Sequence, residues 1–535
     1  MPEGSITGVR PATAPPRDRS RDGFRNKLEF ALLTGFRPFW EFVNARPALA
    51  RPINGLIVDN AAKKVPARPL ALSTAAPYAS WTSLNDRNWF GRYLPPRPAA
   101  PDLPPVDKIA ELFKVGPGGP RRSRRSTLLF PSFAQWFTDG FLMTDDRCRR
   151  RTTSNHQIDL SQLYGLTPDV TRALRLFSNE PGKKGRLKSV VVGGEEWAPG
   201  LFDEAGNKRD EFAAVPDPER MPKELPPERK AAVFAFGGAR PNATPFTAMV
   251  STLFLREHNR LCKMLEAAHP EWDDERVFET ARNINIVLLI KVVVEDYINH
   301  ISPYWFRLLG DPRPCYKAGW NRQNWIPVEF NLLYRWHSAV PEAASWGGMP
   351  TPIGDMRFDN RFLLRAGLGA AFENASRTEA GQIGLFNTPG FLLDAEKNSV
   401  KQGRDNELPP YNDYREAMGY PRVTRFEQIS GDPRVVAGLR ELYGHVDRVE
   451  FFVGLFAEEP RECSAVPALI GRMVAADAFS HALTNPLLSP LLFNEETFSP
   501  QGMEVIAGTS SLQHLLDRNT GRPAGAFRAS MEQGG

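Results

Sequence analysis

The 535-residue chain lacks the features that mark several common classes of protein. It has four cysteines and no CxxC pair: Cys148, Cys262, Cys315 and Cys463. This scarcity argues against a disulfide framework and against a cysteine zinc site, and it favours free thiols in a reducing compartment. The net charge of +5, from 67 basic and 62 acidic residues, is too small to indicate a nucleic-acid partner.

Long hydrophobic runs are also missing. The strongest run, residues 284–294, is interrupted by Asn285 and Lys291 and is far shorter than the roughly 20 residues that a spanning helix needs. Residues 1–22 are polar and rich in Pro, Ser and Arg, and they lack the apolar core of a secretory signal. We therefore expect no transmembrane helix, no signal peptide and a disordered N-terminal lead.

Residues 23–70 differ in character from the rest of the chain, because short apolar pieces alternate with basic residues and prolines. Phe24, Leu28 and Leu32 fall on one helical face, and a second dense apolar cluster occupies residues 36–43. Broken amphipathic helices of this kind can lie in a membrane interface. The alternative is a helix pair that docks on the core.

The remainder of the chain is mainly helical in pattern. Apolar residues recur at helical spacing in 245–268 and in 273–300, without strand-like alternation. Asp273 and Asp274 are typical of a helix start. We predict one large, mainly α-helical domain with an N-terminal appendage.

Several catalytic motifs are absent from the sequence: a GxGxxG after a strand, a P-loop, HExxH and GxSxG. The eight histidines form no close pair of the kind that binds a metal ion. A single axial histidine for haem remains open, because haem needs only one strong protein ligand.

Tyr334 and His337 stand three residues apart, so on a helix they would share a face, one turn apart. The pair could be ordinary packing, or a redox side chain held beside a metal ligand. The flanking residues 329–337, EFNLLYRWH, decide between these interpretations. They resemble the proximal segment E-F-N-x-L-Y-x-W-H of cyclooxygenases, the fatty-acid oxygenases of the animal-type haem peroxidase superfamily.

Colinear segments extend this resemblance over about residues 55–495, and they are found at 80–98, 156–165, 255–282, 411–432 and 439–459. The resemblance implies an all-α, cyclooxygenase-like fold with N-terminal amphipathic membrane-binding helices. We accordingly assign residues 1–22 to a disordered lead, 23–70 to membrane-binding helices, 71–520 to a haem peroxidase-like catalytic domain and 521–535 to a C-terminal tail.

The resemblance also implies the chemistry. Haem b would be the cofactor and His337 its proximal iron ligand. Tyr334 would form the radical that abstracts hydrogen from a polyunsaturated fatty acid before O2 adds, with a hydroperoxide as activator. Phe330, Leu333 and Trp336 would line the substrate channel, or simply pack the core. A membrane surface and a homodimer are the partners that the family suggests.

On the opposite, distal side of the haem, FAQWFTDGF at 133–141 matches the family pattern with one change. Gln135 matches the distal glutamine, but Asp139 stands where the family has the distal histidine that moves a proton during O–O cleavage. A carboxylate can do the same if its pKa suits. We expect weakened peroxidase activity.

Further departures concern the substrate and a second metal. The family's carboxylate-binding arginine aligns with Ala61, which leaves Lys63 and Lys64 as candidate anchors, although a solvated or headgroup-facing pair is the favoured interpretation. Ala478, or with a gap Ser480, occupies the place of the serine that aspirin acetylates.

The family's mouth tyrosine aligns loosely with Phe358. Asp159 and Ser161 suggest a calcium site, although an ordinary helix start is the favoured interpretation. The six cysteines of the family's growth-factor-like module are missing, since none precedes Cys148.

The sequence therefore predicts a haem-dependent fatty-acid dioxygenase, peripheral to the cytoplasmic side of a membrane. A single hydroperoxide is the expected product, and a prostaglandin-type endoperoxide is the alternative. Two rival functions stay open: a peroxidase of small aromatic donors, and an inactive haem-binding scaffold at a membrane.

Overall fold

Helices are the main secondary structure of the computed structural model, which describes residues 23–63, 75, 88–322, 324–346, 349–461 and 463–534. The predicted lead at 1–22 lies outside these residues, as does Lys64. The mainly α-helical prediction is confirmed.

The helices of the N-terminal half are α1 Phe24–Thr34, α2 Arg37–Asn44, α3 Pro47–Ala62, α4 Val106–Phe113, α5 Leu129–Thr138, α6 Ser161–Tyr164, α7 Pro168–Leu174, α8 Pro227–Lys230, α9 Pro245–Ala268, α10 Asp274–Val292 and α11 Asn299–Ile301. Those of the C-terminal half are α12 Val328–Leu333, α13 Arg361–Ala366, α14 Leu368–Arg377, α15 Leu393–Asp405, α16 Tyr411–Ala417, α17 Pro433–Tyr443, α18 Phe451–Ala457, α19 Ala468–Ala482, α20 Glu495–Ala507 and α21 Leu512–Asn519.

The strands are short and form antiparallel pairs. They are β1 Arg122–Thr127, β2 Thr144–Asp145, β3 Cys148–Thr152, β4 Val190–Val192, β5 Glu195–Trp197, β6 Ala343–Trp346, β7 Met349–Pro352 and β8 Glu379–Gly381. The pairs are β1 with β8, β2 with β3, β4 with β5 and β6 with β7. In the longest-range pair, Arg122 stands opposite Gly381 and Thr127 opposite Glu379.

The two long predicted helices form the centre of the core. Helix α9 matches the predicted bounds, and Thr244 and Thr247 make a reciprocal capping box at its start. Asp273 caps α10 by accepting a hydrogen bond from the backbone N–H of Arg276. The predicted helix at 273–300 is divided, because a π-helical turn, Val293–Ile298, separates α10 from α11.

Helices α1 to α3 lie on the core with one side and face outwards with the other. Trp40, Val43 and Val58 are buried against the core. Large apolar side chains remain exposed on the outer side: Phe24, Leu28, Leu32, Phe36, Phe39, Phe42, Leu49 and Leu56. Among the described residues, no helix has the length and hydropathy to cross a bilayer.

The predicted C-terminal tail packs on the core. The Met531 carbonyl accepts a hydrogen bond from the Thr127 N–H, and the Arg125 carbonyl accepts one from the Gln533 N–H. The side chains of Ala529 and Met531 are buried. Residues 521–534 therefore belong to the same folded unit as β1.

The buried carboxylate of Glu329 fixes helix α12. Its Oε1 atom accepts hydrogen bonds from the Tyr93 N–H at 2.9 Å and from the Tyr414 hydroxyl at 2.8 Å. Arg92, itself buried, lies close enough to interact electrostatically with it. A carboxylate without such partners would be costly to bury, so these contacts hold α12 against two distant segments of the chain.

Candidate active site

Tyr334 and His337 are close together but do not share a helix. Helix α12 ends at Leu333, and Tyr334 forms its C-terminal cap. His337 begins a separate 3-10 turn, His337–Ala339. The predicted one-turn stack on a common helical face is therefore wrong. Side-chain packing accounts for the bend, because the Trp336 ring lies 5.2 Å from the Tyr334 ring and 5.3 Å from Phe130.

The Tyr334 phenol is enclosed by aromatic rings. The Phe330 ring meets it edge-on at 5.0 Å, and the Trp336 ring stacks at 5.2 Å. Its hydroxyl is buried and has no hydrogen-bond partner among the described residues. Burial, with a smaller contribution from Asp477, raises the pKa of Tyr334 well above its usual range. The phenol therefore keeps its O–H proton at all physiological pH values.

The His337 imidazole lies beside a buried carboxylate. Its Nδ1 atom is 3.2 Å from Oε1 of Glu396, at an angle unsuited to a linear hydrogen bond. The same Glu396 oxygen accepts a hydrogen bond from the Thr388 hydroxyl at 2.8 Å, which holds the carboxylate in place. The His337 side chain keeps 18% of its surface exposed. With Nδ1 turned to Glu396, Nε2 is the nitrogen left to bind a metal.

Gln135 and Asp139 lie one turn apart, as their spacing predicts. The Asp139 N–H donates to the Gln135 carbonyl at 2.9 Å, at the end of α5. Gln135 is the one exposed residue of α5, whose other nine residues are buried. This face of the helix therefore borders an open space. Asp139 is largely enclosed at the edge of that space, with its side chain 7% exposed.

Arg240 is a partner of Asp139 that the sequence did not indicate. Its Nη1 atom donates to Oδ1 of Asp139 at 3.1 Å, and its Nε atom donates to Oε2 of Glu219 at 2.6 Å. The second oxygen of Asp139, Oδ2, is buried without a hydrogen-bond partner among the described residues. Burial, partly offset by Arg240, raises the pKa of Asp139 to about 6.

Arg335 connects the two carboxylates of the site. Its guanidinium donates to Oδ1 of Asn331 at 2.7 Å and to Oε1 of Gln402 at 3.2 Å. It also interacts electrostatically with both Glu396 and Asp139. Burial, followed by repulsion from Arg240, lowers the pKa of Arg335 to about 10. The sequence pattern left this position unspecified, so the residue was missed.

The donor set of this site fits a haem. His337 offers an imidazole nitrogen backed by a carboxylate, as expected of an axial ligand. Helix α5 and its C-terminal cap offer an exposed amide, Gln135, and an unpartnered carboxylate oxygen of Asp139. No group of three or more His, Cys, Asp or Glu side chains suited to a bare metal ion occurs among the described residues.

Comparison with known proteins agrees with this donor set. The family profile for animal haem peroxidases matches residues 147–529. The chain belongs to the animal haem peroxidase family. Haem iron is therefore its implied cofactor, and it is an oxidoreductase. Gln135 and Asp139 precede the matched residues.

Relatives of known name extend the match to most of the chain. Prostaglandin G/H synthase 2 of Equus caballus is 31% identical over 510 residues, which cover 93% of this chain and 81% of the relative. The fold resembles that of the Oryza sativa fatty acid alpha-dioxygenase, with a TM-score of 0.66 at 16% identity over 93% of this chain and 94% of the other. Peroxidase A of Dictyostelium discoideum gives a TM-score of 0.64 at 21% identity, over 83% and 95% of the two chains.

A second concave site lies beneath the N-terminal helices. This N-terminal cavity encloses about 830 Å³, counting its open mouth, between α1, α3, the turn around Ile298 and α19. Ala61 lines it, as do Phe479, Tyr304 and Arg472. Its size suits a small-molecule ligand.

The predicted substrate residues are distributed unevenly around this cavity. Lys63 caps the end of α3, where its side chain is exposed, and it is not among the lining residues. Ala478 is buried on α19 beside the lining residue Phe479. The Ser480 hydroxyl donates to the Asp477 carbonyl and accepts from the Asn324 amide, so it is engaged elsewhere.

The placement of Phe358 at the mouth is wrong. Phe358 is buried in a left-handed backbone conformation, with φ 56°, and does not line the N-terminal cavity. Tyr304 is a tyrosine of this cavity instead, and it lies three residues after the end of α11. The loose alignment around Phe358 gave no physical reason to expect either position.

The residues suggested for calcium make local contacts. Oδ1 of Asp159 accepts from the Ser161 N–H, and Oδ2 accepts from the Asn155 amide. The Ser161 hydroxyl donates to the Gly140 carbonyl. These bonds are those of a helix start, and the calcium site stays a prediction.

The proximal assignment predicts how haem binding responds to substitution. His337→Ala should shift and weaken the Soret band of the reconstituted protein, because it removes the proposed axial ligand. Glu396→Ala should weaken haem affinity by about tenfold or more, because the imidazole loses its orienting carboxylate. Haem titration followed by absorbance measures both effects.

Asp394→Ala is the matched control. Asp394 is on the same helix, α15, two residues from Glu396, but its side chain is 91% exposed. Its haem affinity should equal that of the wild type. An unchanged Soret band in His337→Ala would contradict the assignment.

Proposed function

We propose that this protein is a haem-dependent fatty-acid dioxygenase that uses Tyr334 as its hydrogen-abstracting residue. The observation that carries the proposal is the buried, unpartnered Tyr334 hydroxyl, held by aromatic rings three residues before His337. The names of a relative, prostaglandin G/H synthase 2, and of a fold neighbour, fatty acid alpha-dioxygenase, support oxygenation of a fatty acid.

Haem held at His337 would supply the oxidising power for this chemistry, with a hydroperoxide as its activator. Tyr334 would give the electron and the proton of its O–H bond to that oxidant and become a neutral tyrosyl radical. The radical takes a hydrogen atom from a bis-allylic C–H bond of a polyunsaturated acyl chain. O2 adds to the resulting carbon radical, and the peroxyl radical recovers a hydrogen atom from Tyr334. The product is a hydroperoxide, or after ring closure an endoperoxide.

The protein contributes geometry and exclusion of water. Phe330 and Trp336 fix the plane of the Tyr334 ring, and Leu333, fully buried on α12, packs beside it. A phenol without a hydrogen-bond acceptor does not lose its proton to a neighbour, so the hydrogen atom is available only to an oxidant or a peroxyl radical.

Substitution of Tyr334 tests this proposal. Tyr334→Phe should abolish oxygen uptake with linoleic acid and retain the Soret band, because only the abstracting oxygen is lost. An oxygen electrode, with a catalytic amount of hydroperoxide present, measures the rate.

Tyr297→Phe is the matched control, because the Tyr297 hydroxyl is also buried without a partner among the described residues and its ring lies 6.2 Å from Trp336. It should retain most of the uptake. Palmitic acid, which has no bis-allylic C–H bond, should give no uptake. Equal rates with palmitic and linoleic acid would instead favour oxygenation beside the carboxylate.

Asp139 takes the part of the distal base in this proposal. Its Oδ2 atom would accept the proton of the hydroperoxide, and the Gln135 amide would donate a hydrogen bond to the hydroperoxide. Arg240 favours the carboxylate form, while burial opposes it. The carboxylate is a weaker base than the imidazole it replaces, so hydroperoxide turnover should be slow, and fast guaiacol oxidation at low peroxide would contradict this role.

The pKa of Asp139 sets a pH dependence. Because the unprotonated form accepts the proton, kcat/KM for hydroperoxide should rise between about pH 5 and pH 8, with a midpoint near the pKa of about 6. Arg240→Gln should move the midpoint to higher pH, because a partner that favours the charged form is removed. Asp139→Asn should lower the rate about 100-fold and abolish the midpoint. A midpoint unchanged in Asp139→Asn would assign the base elsewhere.

A membrane surface is the proposed location of the enzyme. The exposed apolar side chains of α1 to α3 form one outer face, with basic groups beside it. The Arg46 guanidinium lies 3.6 Å from the Phe42 ring, and Lys63 is exposed at the end of α3. Apolar side chains with adjacent cations match the boundary between acyl chains and anionic headgroups.

Vesicle binding tests the membrane proposal. The combined variant Phe24→Ser, Leu28→Ser and Leu32→Ser should bind phosphatidylcholine vesicles containing phosphatidylserine at least about tenfold more weakly, because three exposed apolar groups are lost. Co-sedimentation measures the bound fraction. Val191→Ser with Leu491→Ser is the control, since these side chains are 74% and 86% exposed at other sites. Equal losses in both variants would contradict a specific face.

A further inference from the structure

The N-terminal cavity contains an arginine that no sequence pattern indicated. Arg472, on α19, lines the cavity and has a side chain only 12% exposed. Its Nη1 atom lies 3.6 Å from Oε1 of Glu29 on α1, which is a long ion pair. Its Nε atom is buried and has no hydrogen-bond partner among the described residues. A guanidinium presents five N–H donors, so Arg472 retains capacity to bind an anion.

The second arginine of the cavity is placed differently. Arg461 lies over two aromatic rings, with its guanidinium carbon 5.1 Å from the Phe30 ring and 5.8 Å from the Tyr420 ring. Such stacking makes it part of the cavity wall and directs its charge to ring faces. Arg472 therefore offers the more available fork of donors.

The other residues that line the N-terminal cavity indicate which kind of anion would fit it. Ile57, Ile298, Ile301, Leu308, Val474 and Phe479 give the cavity an apolar interior. Two elements of the cavity wall also contact the surroundings of Tyr334: Ile298 follows Tyr297, whose ring lies 6.2 Å from Trp336, and α19 carries Asp477, which interacts electrostatically with Tyr334. A ligand with an anionic head group and a long apolar chain would suit this cavity. The head group would pair with a cationic side chain, and the chain would contact the apolar lining.

Position 61, where the family resemblance predicts a carboxylate-binding arginine, lies in the same cavity. Ala61, on α3, is a lining residue and carries no charge. Arg472 projects from α19, a different wall, and supplies the positive charge that position 61 does not. Its planar fork can hold both oxygens of a carboxylate, whereas the exposed Lys63 would act as a point charge in water.

We infer that Arg472 binds the carboxylate of the fatty-acid substrate in the N-terminal cavity, where the carboxylate replaces Glu29 as its partner. The inference rests on the proposed oxygenation of fatty acids. It places the carboxyl end beneath α1 and α3 and directs the acyl chain inwards, so that mid-chain carbons reach Tyr334. Glu29 becomes a competitor built into the cavity, while its other oxygen stays bonded to the Asn60 amide at 3.2 Å.

Binding of an acid and its matching alcohol tests this inference without turnover. The holoenzyme carrying Tyr334→Phe is titrated calorimetrically under argon with linoleic acid and with linoleyl alcohol. Adding Arg472→Gln should raise the Kd of the acid by about tenfold or more and change that of the alcohol by less than about twofold. Adding Arg472→Lys should restore part of the affinity for the acid.

Glu29→Gln is the complementary variant. It should lower the Kd of linoleic acid several-fold and leave that of the alcohol unchanged, because the competing carboxylate is removed. It also keeps the inference testable if Arg472→Gln does not fold with haem. An unchanged or raised Kd for the acid in Glu29→Gln would overturn the exchange.

Two further variants test whether one of the other candidate cations binds the carboxylate instead of Arg472. Arg461→Gln, and Lys63→Gln combined with Lys64→Gln, should not remove the preference for the acid. Loss of that preference in either variant would overturn the assignment to Arg472, as would equal losses of acid and alcohol affinity in Arg472→Gln. Failure of linoleic acid to bind the Tyr334→Phe holoenzyme would also overturn it.

The binding experiment is independent of catalysis. Selective acid binding without oxygen uptake would retain Arg472 and reject the proposed function. Oxygen uptake that does not change in Arg472→Gln would retain the proposed function and reject the role of Arg472.

Discussion

The short helix α12 depends on one buried carboxylate, Glu329. Burying a charge is tolerable only when other groups satisfy it, and here the Tyr93 N–H and the Tyr414 hydroxyl do so while Arg92 lies nearby. These partners come from segments far apart in sequence. The contacts therefore fix the place where the chain bends from α12 into the turn that carries His337, and they position both the proposed radical residue and the proposed axial ligand.

Carboxylates beside cationic or ionisable groups recur on both sides of the site. Glu396 lies against His337, and Asp139 lies against Arg240. Arg335 interacts with both carboxylates, so a change in charge on one side affects the other. The low polarity of the surroundings makes these interactions stronger than they would be in water. His337, Glu396, Arg335, Asp139 and Arg240 thus form one connected set of charged and ionisable groups.

Helices α1 to α3 link the membrane proposal to the proposed route of the substrate. Their outer side exposes large apolar residues, and their inner side supplies Glu29, Ile57 and Ala61 to the N-terminal cavity. A fatty acid leaving a bilayer would therefore meet the cavity rim without crossing open water. The cation of that cavity comes from α19, which also carries Asp477, a residue that interacts electrostatically with Tyr334. One helix would then hold the head of the substrate and border its reacting carbons.

The sequence determined the elements whose information is local. Helical spacing and caps specified α9 and the start of α10, and the i, i+4 spacing of Gln135 and Asp139 on α5 was retained. The motif around Tyr334 and His337 indicated the family, because its residues are contiguous in the sequence. Tertiary structure decided the bend between these two residues, since the stacking of Trp336 on Phe130 outweighs helix propensity there. It also brought together Asp139 with Arg240, His337 with Glu396 and Glu29 with Arg472, pairs separated by dozens to hundreds of residues. Such pairings depend on how distant segments pack, and no local spacing encodes them.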